Sequence, residues 1–201
     1  MARQNSNAAL IHPVIVRLTH WVNAVAILVM IASGLQIYNA FPILPFYFPS
    51  AITLGGWLGG ALLWHFAAMW LLMINFAAYL AYGFWSGRLR TKLWPIRVKD
   101  IVRDTRAALS GRLQHGDLSR YNAVQKLLYA GVLLVIAFAV ASGFVLWKPV
   151  QLQFFTNLMG GFEGARIVHF GAMVLIVGFL FLHVVMALLV PRTIRAMIIG
   201  R

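Results

Sequence analysis

The chain of 201 residues is too apolar for a soluble domain, since 62% of its residues are hydrophobic and only 10% are charged. Soluble domains carry roughly a quarter charged residues, so this composition excludes both a water-soluble globule and a disordered chain. The sequence has no cysteine, which excludes disulfides, iron–sulfur clusters, thiolate metal sites and covalently attached c-type haem. A membrane protein is predicted, in which histidine is the available ligand for any redox cofactor.

Four apolar stretches are long enough to cross a membrane, which takes roughly 20 helical residues. They cover residues 14–38, 54–84, 127–147 and 167–190, and Pro191 ends the last one. Helices are expected because backbone polar groups in lipid must be satisfied within the segment. We therefore predict an all-α integral membrane protein, a four-helix transmembrane bundle that forms a single domain over residues 1–201. The first span is interpreted as retained, because no clean cleavage site follows it.

The basic residues predict the orientation of the bundle. Seventeen Lys and Arg against four Asp and Glu give a net charge of +13. Ten of the seventeen lie between the second and third spans, five lie in the terminal segments, and only Lys148 and Arg166 lie elsewhere. By the positive-inside rule both termini and the long middle loop are cytoplasmic (N-in/C-in). This distribution explains the charge without a nucleic-acid partner.

Two connecting segments have distinctive patterns. Residues 96–109 place apolar side chains at helical spacing among charged ones, which predicts a short amphipathic helix on the inner leaflet. Residues 39–50 are rich in aromatic residues and proline and carry no charge. We interpret this outer segment as an interfacial anchor, and the alternative is a docking surface for an external partner.

Four of the six histidines fall inside the spans, where ionisable residues are costly and generally functional. His169 and His183 are fourteen residues apart, so they share one face of the last helix, about 21 Å apart along its axis. That distance is too large for one shared metal and fits two stacked haems, one per leaflet. Depth pairs His20 with His183 near the cytoplasm and His65 with His169 near the outside. Each pair would supply both axial ligands of a non-covalently held haem b.

Smaller features are consistent with this hypothesis. Gly34 lies fourteen residues after His20 and would offer a flat surface at the depth of the outer haem. Further small residues of this kind are Gly131, Ser142, Gly143, Gly171 and Gly178. Arg17, one turn before His20, is placed to neutralise a haem propionate. Ordinary close packing is the alternative for the glycines, and an inner-boundary position is the alternative for Arg17.

For the four histidines, the alternatives are hydrogen-bonded packing or a proton relay. Zinc is disfavoured, because it needs three or four ligands at one point. His12 and His115 lie outside the spans and are expected to be solvated. With imidazole at both axial positions of each iron, the expected chemistry is one-electron transfer.

The sequence resembles the four-helix di-haem cytochrome b subunits of the bacterial b561 and nickel–iron hydrogenase group. That group includes the gamma subunit of membrane formate dehydrogenase and the cytochrome subunits of thiosulfate reductase. The resemblance covers nearly the whole chain. It is carried by Arg17-Leu-Thr-His20-Trp21, Ser33-Gly34, His65, Tyr121-Asn122-Ala-Val-Gln125-Lys126, Ser142-Gly143, and His169 with His183.

This resemblance implies a location in the bacterial inner membrane and two haem b cofactors. It also implies electron transfer between the quinone pool and a periplasmic redox partner, which could be a hydrogenase, a molybdenum enzyme or a c-type cytochrome. A quinone site beside the inner haem would be lined by Asn122, Gln125 and His183, although Val124 stands where the formate dehydrogenase relative has glycine. A local alternative is that Asn122 or Ser119 caps the start of the third span.

Two other functions compete with this one. The first is a stand-alone b561-type superoxide:quinone oxidoreductase, which a basic pocket over the outer haem would favour through electrostatic steering. Only Lys148 and Arg166 are available on that side. The second is a haem-free transporter or scaffold that uses the histidines for protons.

Overall fold

The computed structural model describes residues 11–110 and 121–200. Eight α-helices occupy this part of the chain, together with a short 3-10 helix at Ser50–Ile52. The α-helices are α1 (Val14–Ala40), α2 (Leu58–Trp85), α3 (Arg88–Leu93), α4 (Val98–Leu109), α5 (Ala123–Trp147), α6 (Gln153–Leu158), α7 (Gly161–Leu189) and α8 (Pro191–Ile199). The described residues contain no β-strand. Helices α1, α2, α5 and α7 are long and apolar enough to cross a membrane. The predicted all-α membrane fold with four spans is confirmed.

Local geometry moves the starts of the second and third spans away from the predicted positions. Helix α2 begins at Leu58 because Gly55 and Gly56 have φ angles of 110° and 72°, which a helix cannot contain. Helix α5 begins at Ala123, four residues earlier than expected. There Asn122 Oδ1 accepts from Gln125 N at 2.8 Å, and Gln125 Oε1 accepts from Asn122 N at 3.1 Å. This capping box satisfies two donors at the helix start.

Helix α7 also begins earlier than the hydropathy pattern predicts. Its first turns carry two charged residues, Glu163 and Arg166, which pair at 2.6 Å. Arg166 donates in addition to the carbonyl of Phe41, at the end of α1. Because these polar groups are satisfied, the helix extends beyond the apolar stretch.

The amphipathic helix predicted over residues 96–109 is α4, which begins at Val98. Asp104 Oδ2 accepts from the backbone N–H of Ala123 at 2.8 Å, at the start of α5. A carboxylate at a helix N-terminus interacts favourably with the helix dipole. This contact fixes α4 at the same end of the bundle as the start of α5.

The four membrane helices form two hairpins. Helix α1 packs along α2 in the first hairpin, and α5 packs along α7 in the second. Within the first hairpin, Asn75 Nδ2 donates to Thr19 O and to Asn23 Oδ1, both at 2.7 Å. In the described part of the chain, backbone contacts between the two hairpins are sparse. The interface between the hairpins is therefore made mainly by side chains.

The first and last described residues lie at one end of the bundle, because Ile11 N donates to Gly200 O at 2.9 Å. Arg17 lies at this end, where Nη1 of its side chain donates to Ile198 O at 2.6 Å. We name this end of the bundle the Arg17 end. The opposite end, where α1 stops at Phe41, is the Phe41 end. Helices α3, α4 and α8 lie at the Arg17 end.

The expectation that His12 is solvated is wrong. Its side chain is only 9% exposed, and Arg88 Nη2 lies 3.4 Å from its Nδ1 while also donating to Ile11 O. Burial, followed by the positive charges of Arg88 and Lys92, lowers the pKa of His12 from 6.5 to about 4. The imidazole is thus neutral and belongs to the packing of the two chain ends. His115 and Ser119 lie outside the described residues.

Candidate functional site

The structure brings the four intramembrane histidines together as two pairs between the hairpins. The rings of His20 on α1 and His183 on α7 have centroids 6.0 Å apart and an interplanar angle of 66°. The rings of His65 on α2 and His169 on α7 are 6.3 Å apart at 70°. We name His20 and His183 the Arg17-end pair, and His65 and His169 the Phe41-end pair. Both pairs include a histidine of α7.

These ring separations suit two imidazoles on opposite sides of one metal ion. A metal–nitrogen bond of about 2 Å, with about 1 Å from nitrogen to ring centre on each side, gives about 6 Å between centres. Packed aromatic rings occupy the same range of distances. The direction of the ring nitrogen atoms therefore distinguishes ligation from simple packing.

Each imidazole of the Phe41-end pair lies against a Ser-Gly sequence of the neighbouring helix in its own hairpin. Ser33 Oγ is 3.0 Å from His65 Nδ1, and Ser142 Oγ is 3.0 Å from His169 Nδ1. Both serines are 0% exposed. Each hydroxyl therefore holds Nδ1 of one ring within a hairpin, while the two rings face each other between the hairpins at 6.3 Å.

The glycine of each Ser-Gly sequence makes room for the ring. A Cβ atom at Gly34 would lie 3.5 Å from His65 Cε1, and one at Gly143 would lie 3.1 Å from His169 Cε1. The sequence pattern suggests that Gly34 faces a macrocycle, whereas its nearest neighbour in the structure is the imidazole. Cβ atoms at Gly131, Gly171 and Gly178 would meet no protein atom within 4 Å.

The Arg17-end pair has an aromatic environment instead. Phe179 stacks on His183 with centroids 5.6 Å apart and planes 14° apart, and Trp21 contacts His20 edge-on at 5.2 Å. Tyr129 lies 6.3 Å from His183. Phe179 and Tyr129 are neighbours of this pair that the histidine pattern alone does not predict. The signal for Phe179 was present, because it precedes His183 by four residues and so lies on the same helix face.

Arg17 holds the end of α8 through the bond from Nη1 to Ile198 O, which does not use its Nε–H. Its Nε is buried and has no hydrogen-bond partner among the described residues. An unpaired buried N–H is costly and suits an anionic ligand near His20. The role predicted for Arg17 beside a haem propionate is compatible with this geometry.

The predicted quinone residues Asn122 and Gln125 form the capping box of α5. The box uses the oxygen atoms of both side chains. A quinone carbonyl would accept a hydrogen bond from an amide N–H, which the box does not use. Beside the box, the rings of Tyr121 and Tyr129 are 5.0 Å apart. Burial raises the pKa of Tyr121 to about 12, so this phenol stays protonated. A continuous series of ring contacts leads from Tyr121 through Tyr129 to His183.

The Phe41 end presents exposed aromatic side chains, with Phe41 74% and Tyr47 71% exposed. The two basic residues of this side are engaged with neighbours. Arg166 pairs with Glu163 at 2.6 Å, and Lys148 lies 4.7 Å from the centroid of the Trp147 ring. These contacts do not favour a basic pocket that would steer superoxide to the Phe41-end pair.

Comparison with known proteins gives the family. Residues 11–200 match the family model described as prokaryotic cytochrome b561. The chain is 51% identical over 190 residues to YedZ1 of Azospira oryzae, which is named as a subunit of a protein-methionine-sulfoxide reductase. The alignment covers 94% of this chain and 96% of that protein. It is 25% identical over 189 residues to the cytochrome b556(fdo) subunit of Escherichia coli K12 formate dehydrogenase, covering 92% of this chain and 81% of that subunit.

The family match includes all four membrane helices and both histidine pairs. A family of b561 cytochromes implies b-type haem, which agrees with a chain that offers imidazole and no cysteine as ligand. The chain therefore belongs to the prokaryotic cytochrome b561 family and is a multi-pass protein of the bacterial inner membrane.

Proposed function

We propose that the protein transfers electrons between membrane quinone and a redox protein docked at the Phe41 end, through two haem b groups. The observation that carries this proposal is the arrangement of four histidines as two pairs at two depths. In the sequence, His169 and His183 are fourteen residues apart on α7, or about 21 Å along its axis. Each pair thus forms a separate site.

The chain's own residues fit this cofactor. His20 and His183 would hold one haem, and His65 and His169 would hold the other, while Arg17 Nε would pair with a propionate of the haem at the Arg17 end. A bound haem supplies one-electron chemistry. With two histidines at each site, a bound haem would be held by protein ligands alone, which would favour electron transfer over oxygen activation.

The Arg17 end is the cytoplasmic end in this proposal. Fifteen of the seventeen Lys and Arg residues lie in the N-terminal segment, between the second and third spans, or after Pro191. In the described chain these segments meet at the Arg17 end. The positive-inside rule then places this end in the cytoplasm and the Phe41 end in the periplasm.

A reductase for protein methionine sulfoxide is the partner we propose at the Phe41 end. The relative YedZ1 is similar over almost its full length, whereas the similarity to the formate dehydrogenase subunit is weaker. Quinol oxidation releases two electrons and two protons. Reduction of a sulfoxide to a thioether consumes two of each and yields water, so the two half-reactions balance. Electrons would run from quinol to the periplasmic reductase.

The quinone would bind beside the Arg17-end pair, near Asn122, Gln125 and His183. The amide N–H groups of Asn122 and Gln125 would donate to a quinone carbonyl while their oxygens cap α5. Capping and quinone binding can thus be separated by substitution. Asn122→Ser keeps a capping oxygen and removes the amide, so it should slow quinol oxidation without loss of thermal stability. Asn122→Ala should lose about 1 kcal/mol of stability as well. Unchanged quinol oxidation in Asn122→Ser would exclude Asn122 from the site.

Ligand substitution tests the haem assignment. Reduced-minus-oxidised spectra and a pyridine extract of the purified chain should give two haem b groups per chain. His65→Ala or His169→Ala should remove the haem of the Phe41-end pair and leave the other, and His20→Ala or His183→Ala should do the reverse. Retention of both haems in all four variants would overturn the pairing.

Electron delivery tests the direction and the partner. The purified chain, supplied with quinol and a purified periplasmic methionine-sulfoxide reductase, should support sulfoxide reduction that depends on both proteins. Failure with this reductase but success with another periplasmic redox protein would overturn the partner alone. Steady quinone reduction by the isolated chain under a superoxide source would instead favour the stand-alone oxidoreductase.

A further inference from the structure

The serines of the two Ser-Gly sequences have a more specific relation to the histidines than close packing requires. Ser33 lies on α1 and Ser142 on α5, in different hairpins, yet each places Oγ 3.0 Å from the Nδ1 atom of a histidine on the adjacent helix. Both serines are fully buried. The same contact has thus arisen twice, once for each histidine of the Phe41-end pair.

The direction of each hydrogen bond follows from the other contacts of the hydroxyl. Ser33 Oγ donates to Val29 O at 2.6 Å, and Ser142 Oγ donates to Ala139 O at 3.1 Å. A carbonyl can only accept, and a serine hydroxyl has one proton. Since the hydroxyl proton is directed to the carbonyl, the serine oxygen is assigned as the acceptor of Nδ1–H of the imidazole. The carbonyls of Met30 and Ala139 lie beside His65 and His169 as further acceptors for a ring N–H.

A neutral imidazole with its proton on Nδ1 carries its lone pair on Nε2. Histidine ligands of metals usually donate the other ring N–H to a protein acceptor, which fixes the tautomer and the ring orientation. The serine contacts meet this requirement for both His65 and His169, whose ring centroids are 6.3 Å apart.

We propose that Ser33 and Ser142 are positioning residues, which hold His65 and His169 as Nδ1–H tautomers so that both present Nε2 to the iron of one haem. This inference rests on the proposed function for the identity of the metal. It adds the ligating atom, and it assigns a function to two residues of the chain that do not themselves touch the iron.

The Arg17-end pair gives an internal comparison. His20 and His183 make ring contacts with Trp21 and Phe179, and among the described residues neither forms a hydrogen bond through a ring nitrogen. Loss of the serine hydroxyls should therefore affect only the Phe41-end pair. A general folding defect would affect both pairs.

Haem titration of detergent-solubilised apoprotein provides the first test, with Ser33→Ala, Ser142→Ala and the double variant. Loss of such an orienting partner typically costs about 10- to 100-fold in affinity. We expect this loss for the haem of the Phe41-end pair, with the other haem bound as in the wild type. The matched control is Ser86→Ala, because Ser86 Oγ donates to Tyr82 O at 2.6 Å in the same way but is exposed.

Electron paramagnetic resonance and potentiometric titration of the haem-loaded variants provide a readout that a packing role would not change. We expect an altered low-spin signal and a shifted midpoint potential for the haem of the Phe41-end pair alone. Affinity within about twofold of the wild type in the double variant, with unchanged signal and potential, would overturn the proposal.

A measurement without haem separates this inference from the proposed function. In apoprotein labelled with ¹⁵N-histidine, at a pH of about 8 where imidazoles are neutral, two histidines should show the Nδ1–H tautomer, and the double serine variant should lose this preference. An Nε2–H tautomer for these two residues would overturn the positioning role even if both haems and quinol oxidation are normal. Conversely, Nδ1–H tautomers in a chain that binds no haem would support the serine contacts and overturn the proposed function.

Discussion

Gly143 is where the packing around the Phe41-end pair is tightest, and its replacement by alanine is the most discriminating single substitution. The added Cβ would lie 3.1 Å from His169 Cε1, so the ring must move by a few tenths of an ångström. Gly34→Ala is the matched comparison, because its Cβ would lie 3.5 Å from His65 Cε1, an ordinary van der Waals contact. The two variants add the same methyl group beside the two partners of one pair.

The expected magnitudes differ accordingly. Overpacking in a well-packed site costs about 1–3 kcal/mol, which corresponds to about 5- to 150-fold in affinity. Gly143→Ala should weaken haem binding at the Phe41-end pair by this factor, whereas Gly34→Ala should change it by less than about threefold. Titration of apoprotein with haem, followed spectroscopically, measures both sites in one experiment.

The second site in the same molecule is the folding control. Haem binding by His20 and His183 should stay unchanged in both variants. Equal losses in Gly34→Ala and Gly143→Ala would show that a macrocycle, and not the imidazole, occupies the space beside both glycines. Unchanged affinity in Gly143→Ala would refute the argument from the 3.1 Å contact.

Three further substitutions test the packing that supports the site. Asn75→Leu removes both hydrogen bonds from α2 to α1 and should lower stability in detergent by about 0.6–2 kcal/mol, measured from unfolding midpoints in denaturant. The pKa of His12 is about 4 in the folded state, below its value in the unfolded chain. The wild type should therefore lose stability as the pH falls from about 7 to about 4.5. The melting temperature of His12→Asn should fall less over this pH range. Asp104→Ala removes the acceptor for Ala123 N and should cost about 0.5–2 kcal/mol, with faster hydrogen exchange at the start of α5.

Hydropathy predicted the four spans because lipid cannot satisfy backbone polar groups, so any long apolar stretch must be helical. Helix starts were less predictable, since short contacts set them. Gly55 and Gly56 delay α2 through their positive φ angles, and the Asn122 capping box extends α5 by four residues beyond the predicted start. A hydropathy average over many residues does not detect either feature.

The histidine pairs were predictable from depth and helical periodicity, because both quantities follow from position along a membrane helix. The error at His12 has the opposite cause. Its burial depends on contacts between the two ends of the chain, Ile11 with Gly200 and Arg17 with Ile198. No local pattern encodes such contacts. Ser142 was recognised as a small residue and Ser33 only within the family resemblance, because the relation of each serine to a histidine depends on the register between two helices.

The Phe41-end pair has contacts within each hairpin and contacts between the hairpins. The residues in contact are closer in sequence within a hairpin than between the hairpins. Each imidazole is oriented within its own hairpin, by Ser33 for His65 and by Ser142 for His169. The pairing itself joins two hairpins that share few backbone contacts in the described part of the chain. Orientation can therefore form early, with each hairpin, because contacts close in sequence form faster than distant ones. A ligand bound between the two histidines of a pair would then stabilise the association of preformed hairpins. The loss of one histidine should therefore weaken helix packing as well as haem binding.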